Sequence, residues 1–177
     1  MKRRALLYVT DCEAKRFETY LFRKQLPFVP APLPLEVEDD TAQRQRRADY
    51  SIGDAFALRL MMDFTDQGGL DVSAGRYAGA NGGLGLSRVP EGAGDIYLVH
   101  VAEDRIPGED FDPMQLFACR LSQLEAQLAE FTDPATVRRI TMVNASRASR
   151  FVLARAAEFD LFPEHDDRPA WSMGGVY

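Results

Sequence analysis

Cysteine and histidine each occur only twice in the chain, and tryptophan once. Cys12 and Cys119 lie far apart and form no Cys-x-x-Cys pair, so buried reduced thiols are expected. A disulfide between them would need their Cα atoms within about 7 Å. His165 stands in the run Pro163-Glu164-His165-Asp166-Asp167, but zinc needs about three protein ligands and no second histidine lies at ligand spacing. That run is expected to be a solvated acidic loop, and no metal is expected. Long apolar runs are missing as well: none approaches the ~18 residues of a membrane span. The basic start is followed only by Ala5–Val9, too short for a secretory leader, so the expected address is the cytoplasm. Without secretion, Asn144-Ala145-Ser146 is a glycosylation pattern by coincidence. Positive charge is in deficit too. The 21 Lys and Arg against 27 Asp and Glu leave a formal charge of -6 and a pI near 5.0, which argues against a general nucleic-acid binder. The cations form three short clusters, Lys2-Arg3-Arg4, Arg44 with Arg46-Arg47, and Arg138-Arg139 followed by Arg147 and Arg150. Solvated faces are their default meaning, although folding can bring two of them together.

What is present is the composition of a globular protein: 177 residues, 46% hydrophobic and 27% charged, enough for one substantial core and one domain over residues 1–177. Ala5–Val9 reads as a buried first strand. Thr10-Asp11-Cys12-Glu13 has capping-box spacing and opens a helix with Ala14, Phe17 and Leu21 on one face, closed by Pro27. Pro27–Pro34 carries four prolines in eight residues and must be extended. Glu38–Asp49 is too polar to bury and fits a short exposed helix or a loop. Phe56, Leu58, Leu60, Met62 and Phe64 alternate with other residues, which predicts a strand, although Ala, Leu and Met also favour helix. Leu70–Tyr77 reads as another strand. Nine of the thirteen glycines fall between Gly68 and Gly94, suggesting an antiparallel meander with glycine turns.

Ile96–Val101 is the strongest strand pattern in the chain. Asp112–Phe131 follows, with Met114, Phe117, Leu121, Leu124, Leu128 and Phe131 at steps of three and four, which predicts an amphipathic helix capped by Asp112. Val137–Val143 is a further strand. A last helix runs from about Arg147 to Phe159, with Ser146 as its expected cap. Phe162, Trp171 and Tyr177 in the tail are costly to leave in water, so part of the tail should dock. The expected fold class is α+β: a mainly antiparallel sheet drawn from Ala55–Val101 and extended by Val137–Val143, with packed helices.

Two candidate sites are weak on context. The run Gly79-Ala80-Asn81-Gly82-Gly83-Leu84-Gly85 lacks the Gly-Lys-Ser/Thr of a phosphate loop and is better explained by hairpin turns. His100 sits within an apolar strand, where a structural histidine is the commoner case; Asp95 and Glu103 flank its ends.

The loop Glu103–Asp112 joins the strongest strand to the expected helix. Across nearly the whole chain, the order of elements resembles the GNAT superfamily of acyl-CoA-dependent N-acyltransferases. Arg105-Ile106-Pro107-Gly108-Glu109-Asp110 matches the first two positions of that family's Arg/Gln-x-x-Gly-x-Gly/Ala signature and departs at the third. Five carboxylates there, Glu103, Asp104, Glu109, Asp110 and Asp112, would repel a diphosphate; two unit charges at 4 Å interact by about 4 kcal/mol at an effective dielectric of 20. The resemblance implies acetyl-CoA or another acyl-CoA as cofactor, held by the Val101 and Ala102 main chain, Arg105 and Gly108, with Asn144 nearby. It also implies an amine substrate, and a V-shaped gap between the strand ending at Val101 and the strand Val137–Val143. The alternative is a non-enzymatic acidic binding protein that holds a basic protein partner, as a chaperone, immunity protein or adaptor does. Homodimerisation is compatible with either.

Overall fold

The computed structural model describes residues 1–30, 49–104, 114–161 and 168–173. In chain order the elements are α1 (Arg3–Thr10), α2 (Ala14–Phe22), α3 (Ile52–Asp66), α4 (Val72–Leu86), β1 (Ile96–Glu103), β2 (Met114–Arg120), a 3-10 turn (Leu121–Gln123), α5 (Leu124–Phe131), β3 (Val137–Asn144), α6 (Ala145–Ala157) and a second 3-10 turn (Ala170–Met173). The class is α+β as expected, but the sheet is smaller and later in the chain than the sequence suggests. Its three strands run antiparallel in the order β2-β1-β3. Everything described before Ile96 is helix or connection, apart from a single bridge at Asp49.

Three segments expected as strands are helices, and each has a physical reason. In Ala5–Val9 a short apolar run fits either state; as helix it buries Leu6, Val9 and Thr10 on one side. The alternation in Phe56–Phe64 has no one-sided meaning because α3 is the central helix. It buries Ala55, Phe56, Leu58, Leu60, Met61, Met62 and Phe64 around most of its circumference. Its start is written in a capping box, with Ser51 Oγ accepting from the Asp54 amide at 2.9 Å and Asp54 Oδ2 accepting from the Ser51 amide at 2.8 Å. The third is Leu70–Tyr77, which enters α4 behind the Asp71 cap; the Asp71 carboxylate accepts from the amides of Ser73 and Ala74.

The glycines expected as hairpin turns lie within α4 and let it approach its neighbours. A Cβ at Gly79 would stand 2.6 Å from the Ala57 carbonyl oxygen, and one at Gly82 would stand 2.6 Å from Leu98 Cδ2. Glycine here is a packing residue, although in isolation it weakens a helix by about 1 kcal/mol.

The segment expected as one helix over Asp112–Phe131 is divided. Met114–Arg120 is the edge strand β2, and only Leu124–Phe131 is α-helical. Asp112 and Pro113 lie outside the described residues. As a strand, Phe117 and Cys119 face one side of the sheet and Leu116 and Ala118 the other. Leu98, Leu116, Ala118 and Val143 join the main core with α3, α4 and α6. Val99, Val101, Phe117 and Cys119 form a smaller cluster, covered by Leu124 and Leu128 of α5.

The last helix is close to expectation, but its cap is Asn144, whose Oδ1 accepts from the Arg147 amide at 2.8 Å. Ser146 instead accepts from the Ile96 amide at 2.9 Å and ties α6 to β1. The described part of the tail docks as a 3-10 turn, with the Trp171 ring 5.7 Å from Phe56.

Candidate nucleic-acid interface

The first thirty residues build a unit unlike the rest of the molecule. α1 ends on Asp11, at φ 59 and ψ 36, in the left-handed region that aspartate tolerates better than most side chains. The Asp11 and Cys12 amides donate back to Tyr8 and Leu7 carbonyls at 3.1 and 3.0 Å. The chain therefore stops α1 sharply and starts α2 after residues 11–13 alone.

The inner face of α2 is locked. Phe17 and Tyr20 are buried. Phe17 meets Tyr50 edge-on at 6.0 Å and carries the Arg3 guanidinium over its ring at 5.3 Å. Arg16 forks onto both Asp66 carboxylate oxygens at 2.7 and 2.6 Å and reaches Tyr20 Oη and Thr65 Oγ1. That contact raises the Arg16 pKa and lowers that of Asp66, mainly through the shared hydrogen bonds. A bidentate arginine of this kind fixes orientation as well as position.

The outer face of α2 is free. Lys15, Glu18, Thr19 and Phe22 are exposed on it, as are Arg23 and Lys24 just past its end; Glu18 pairs with Arg3, while Lys15, Arg23 and Lys24 make no ion pair among the described residues. Residues 1–30 hold seven Lys and Arg against three Asp and Glu, a net +4, whereas the other 147 residues hold fourteen against twenty-four, a net -10. Lys2 pairs at 2.9 Å with Asp49, which stands two residues past Arg47 in the sequence. Of the third arginine cluster, three members are committed to structure. Arg138 pairs with Asp104 and Arg150 with Asp95, while Arg139 donates to the carbonyls of Gly68 and Gly69.

Of the residues singled out for an acyl-CoA site, Val101, Ala102 and Asn144 are described, and these three lie apart from one another or within the sheet ladder. Val101 is buried. On one side of β1, Val101 and Ala102 pair with Gln115 and Met114 of β2; on the other they pair with Ile140 and Arg139 of β3. The expected V-shaped gap is therefore closed by a ladder running from Tyr97↔Asn144 to Ala102↔Arg139, with a bulge at Ala102/Glu103. Main-chain groups used in a ladder on both sides are not available to a cofactor. Asn144 pairs at the Tyr97 end of β1. At a strand rise of about 3.3 Å per residue, that is about 17 Å along the strand from Ala102. Its amide caps α6 and donates to Asp95 at 2.8 Å, where Arg150 also binds and holds the Asp95 carboxyl down to about 2. Arg105 and Gly108 lie outside the described residues, as does His165.

The remaining titratable candidates are structural. His100 is buried with both ring nitrogens unpartnered among the described residues, and burial lowers its pKa. Glu103, also buried, accepts from the Asp133 amide and from Thr136 Oγ1, fastening the α5–β3 connection. Cys12 and Cys119 are buried free thiols, and burial raises both, Cys12 to about 11. Among the described residues no group of three His, Cys, Asp or Glu is placed to hold a metal. No described helix is long and apolar enough to cross a membrane.

Sequence reasoning missed the α1–α2 unit because Ala5–Val9 reads as a strand. Two signals point to it: the apolar residues Leu6, Val9, Phe17 and Tyr20 on either side of a three-residue polar break, and the local excess of cations in a chain that is acidic overall. No family model matches the chain, and no curated protein matches it in sequence.

Proposed function

We propose that the protein binds double-stranded DNA, with α1 and α2 as a helix-turn-helix and α2 as the helix that enters the major groove. The observation that carries this reading is the contrast between the two faces of α2. One is locked onto α1, Tyr50 and the end of α3; the other presents Lys15, Glu18, Thr19 and Phe22 to solvent, with Arg23 as the C-cap and Lys24 just beyond it. An α-helix with its side chains is about 10–12 Å across, which suits a major groove about 12 Å wide. The acidic remainder of the chain repels phosphate and favours approach by the basic end. In this reading the partner is a polyanion, against the expectations of a basic protein partner and of no general nucleic-acid binding.

The test is fluorescence anisotropy of the full chain on a random-sequence duplex pool at several salt concentrations. Three phosphate contacts from Lys15, Arg23 and Lys24 predict a slope of log affinity on log salt of about -3, and Lys15→Ala should reduce it by about 1. Absence of binding at about 50 mM salt, where backbone contacts are strong, would overturn the proposal. The acyl-transfer alternative needs the Val101 and Ala102 main chain, so titration with acetyl-CoA is expected to give no heat.

A further inference from the structure

Phe22 is 89% exposed, the most exposed large apolar side chain among the described residues. Its position on α2 is specific. At 100° per residue, Lys15, Glu18, Thr19 and Phe22 fall within a sector of about 100°, with Phe22 near its centre. The buried Phe17 and Tyr20 lie on the far side of the helix. Phe22 is therefore the apolar point of a polar face that carries Lys15 and Glu18, one turn beyond Thr19 and two beyond Lys15, and the cations Arg23 and Lys24 follow it directly. Lone exposed apolar residues are common on protein surfaces, but this one sits between cations on the helix that the basic charge directs towards DNA.

We infer that Phe22 is a specificity-determining residue that reads thymine through its 5-methyl group in the major groove. The inference rests on the DNA-binding reading. The two sides are complementary in chemistry. Thymine alone places a methyl group on the major-groove edge of a base pair, and an aromatic side chain is one of its apolar partners. Lysine and arginine at the rim hold the phosphates and carry no sequence information by themselves. Thr19 supplies a hydroxyl for a neighbouring base edge. Glu18, in the same sector, is held by Arg3 at 2.8 Å, which leaves Phe22 as the apolar contact of the stripe.

The experiment selects duplexes from a random pool with the full wild-type chain and then replaces each thymine of the selected duplex by uracil, which removes only the methyl group. One thymine-to-uracil change should weaken the wild type about fourfold, the effect of ~0.8 kcal/mol for one buried methyl at 1.4 kcal/mol per tenfold. Phe22→Ala should bind the thymine and uracil duplexes equally, and Phe22→Leu should keep part of the preference. The exposure of Phe22 means that both variants fold, which an unchanged urea midpoint checks. A wild type that ignores every thymine-to-uracil change, or a Phe22→Ala variant that keeps the full preference, overturns this inference while leaving DNA binding intact. A pool from which nothing is selected overturns both.

Discussion

Among the described residues, two pairs of helices are joined by short turns: α1 to α2 through residues 11–13, and α3 to α4 through residues 67–71. In the second pair, glycines at 75 and 79 bring the backbones together, Gly82 makes room for the Leu98 side chain of β1, and the turn is held against β3 by Arg139. Arg76, the only cation on α4, donates to the Leu26 carbonyl at 3.0 Å. The first pair is held by aromatic packing and one arginine fork, and it keeps a face bearing Lys15, Glu18, Thr19 and Phe22 in solvent. A helix-turn-helix connection is thus not itself a binding device. What matters is whether the second helix has a face left over after the core is satisfied.

The sharpest way to break this comparison is to remove the pivot of the first pair. Phe17→Ala is expected to cost about 3–5 kcal/mol in urea unfolding, because a fully buried ring leaves a cavity between α1, α2 and Tyr50. A loss below about 1 kcal/mol would show that α2 is not anchored as described.

The second pair offers a contrast of sign. At Gly79 an added methyl meets a backbone carbonyl, so Gly79→Ala should destabilise by about 1–3 kcal/mol in spite of alanine's better helix propensity. At Gly83 the nearest atom to such a methyl is the Trp171 carbonyl oxygen at 3.9 Å. Gly83→Ala should therefore stabilise, by up to about 1 kcal/mol. Equal effects at both positions would contradict the close α3–α4 contact.

Acid titration separates the sheet from both helix pairs. The Asp95 carboxyl is held at about 2 against a usual 3.8, mainly by its hydrogen bonds from Arg150 and Asn144. A lowered carboxyl contributes stability that is present above 3.8 and lost as pH falls towards about 2. Asp63 has the opposite sign: desolvation raises its pKa, so its contribution is fully present below 3.8 and is lost as pH rises through the raised value. Urea midpoints measured down the acid limb should fall less for Asp95→Asn than for the wild type. A fall of equal size would mean that the Asp95–Arg150 contact contributes nothing.

The smallest expected effect on stability is at the outer face of α2. Lys15→Ala and Arg23→Ala should leave the urea midpoint within about 0.5 kcal/mol of the wild type. Both should weaken duplex binding in anisotropy, and the loss should fade as salt rises.

Much of the later fold is legible in the residues. Ile96–Val101 and Val137–Val143 announce strands through their β-branched content, and the segment after Asn144 announces a helix. The earlier half misleads for two reasons. A helix buried on nearly every side, as α3 is, loses the one-sided stripe by which helices are recognised. Glycines that serve close packing in α4 look the same in sequence as glycines that serve turns. The candidate site is half-legible: the cations of residues 1–30 are visible, but a net charge of -6 conceals them until the first and second helices are seen as one unit.

The residues alone settle the class of the protein, the strands of its later half and the uneven distribution of charge, but not the caps: the expected Thr10–Glu13 capping box is absent, Glu13 being the N-cap of α2 with no side-chain bond. Only the tertiary structure decided which apolar runs became helices and which face of α2 remained free. The physical reason is that a short apolar segment satisfies its backbone as well in a helix as in a sheet. The choice is made by the surface it packs on, and for α1 and α2 that surface is α3, α6 and Tyr50, far from them in sequence. The outward direction of Lys15 and Phe22 follows from where Phe17 and Tyr20 are buried and Arg16 is held by Asp66, which no local pattern states.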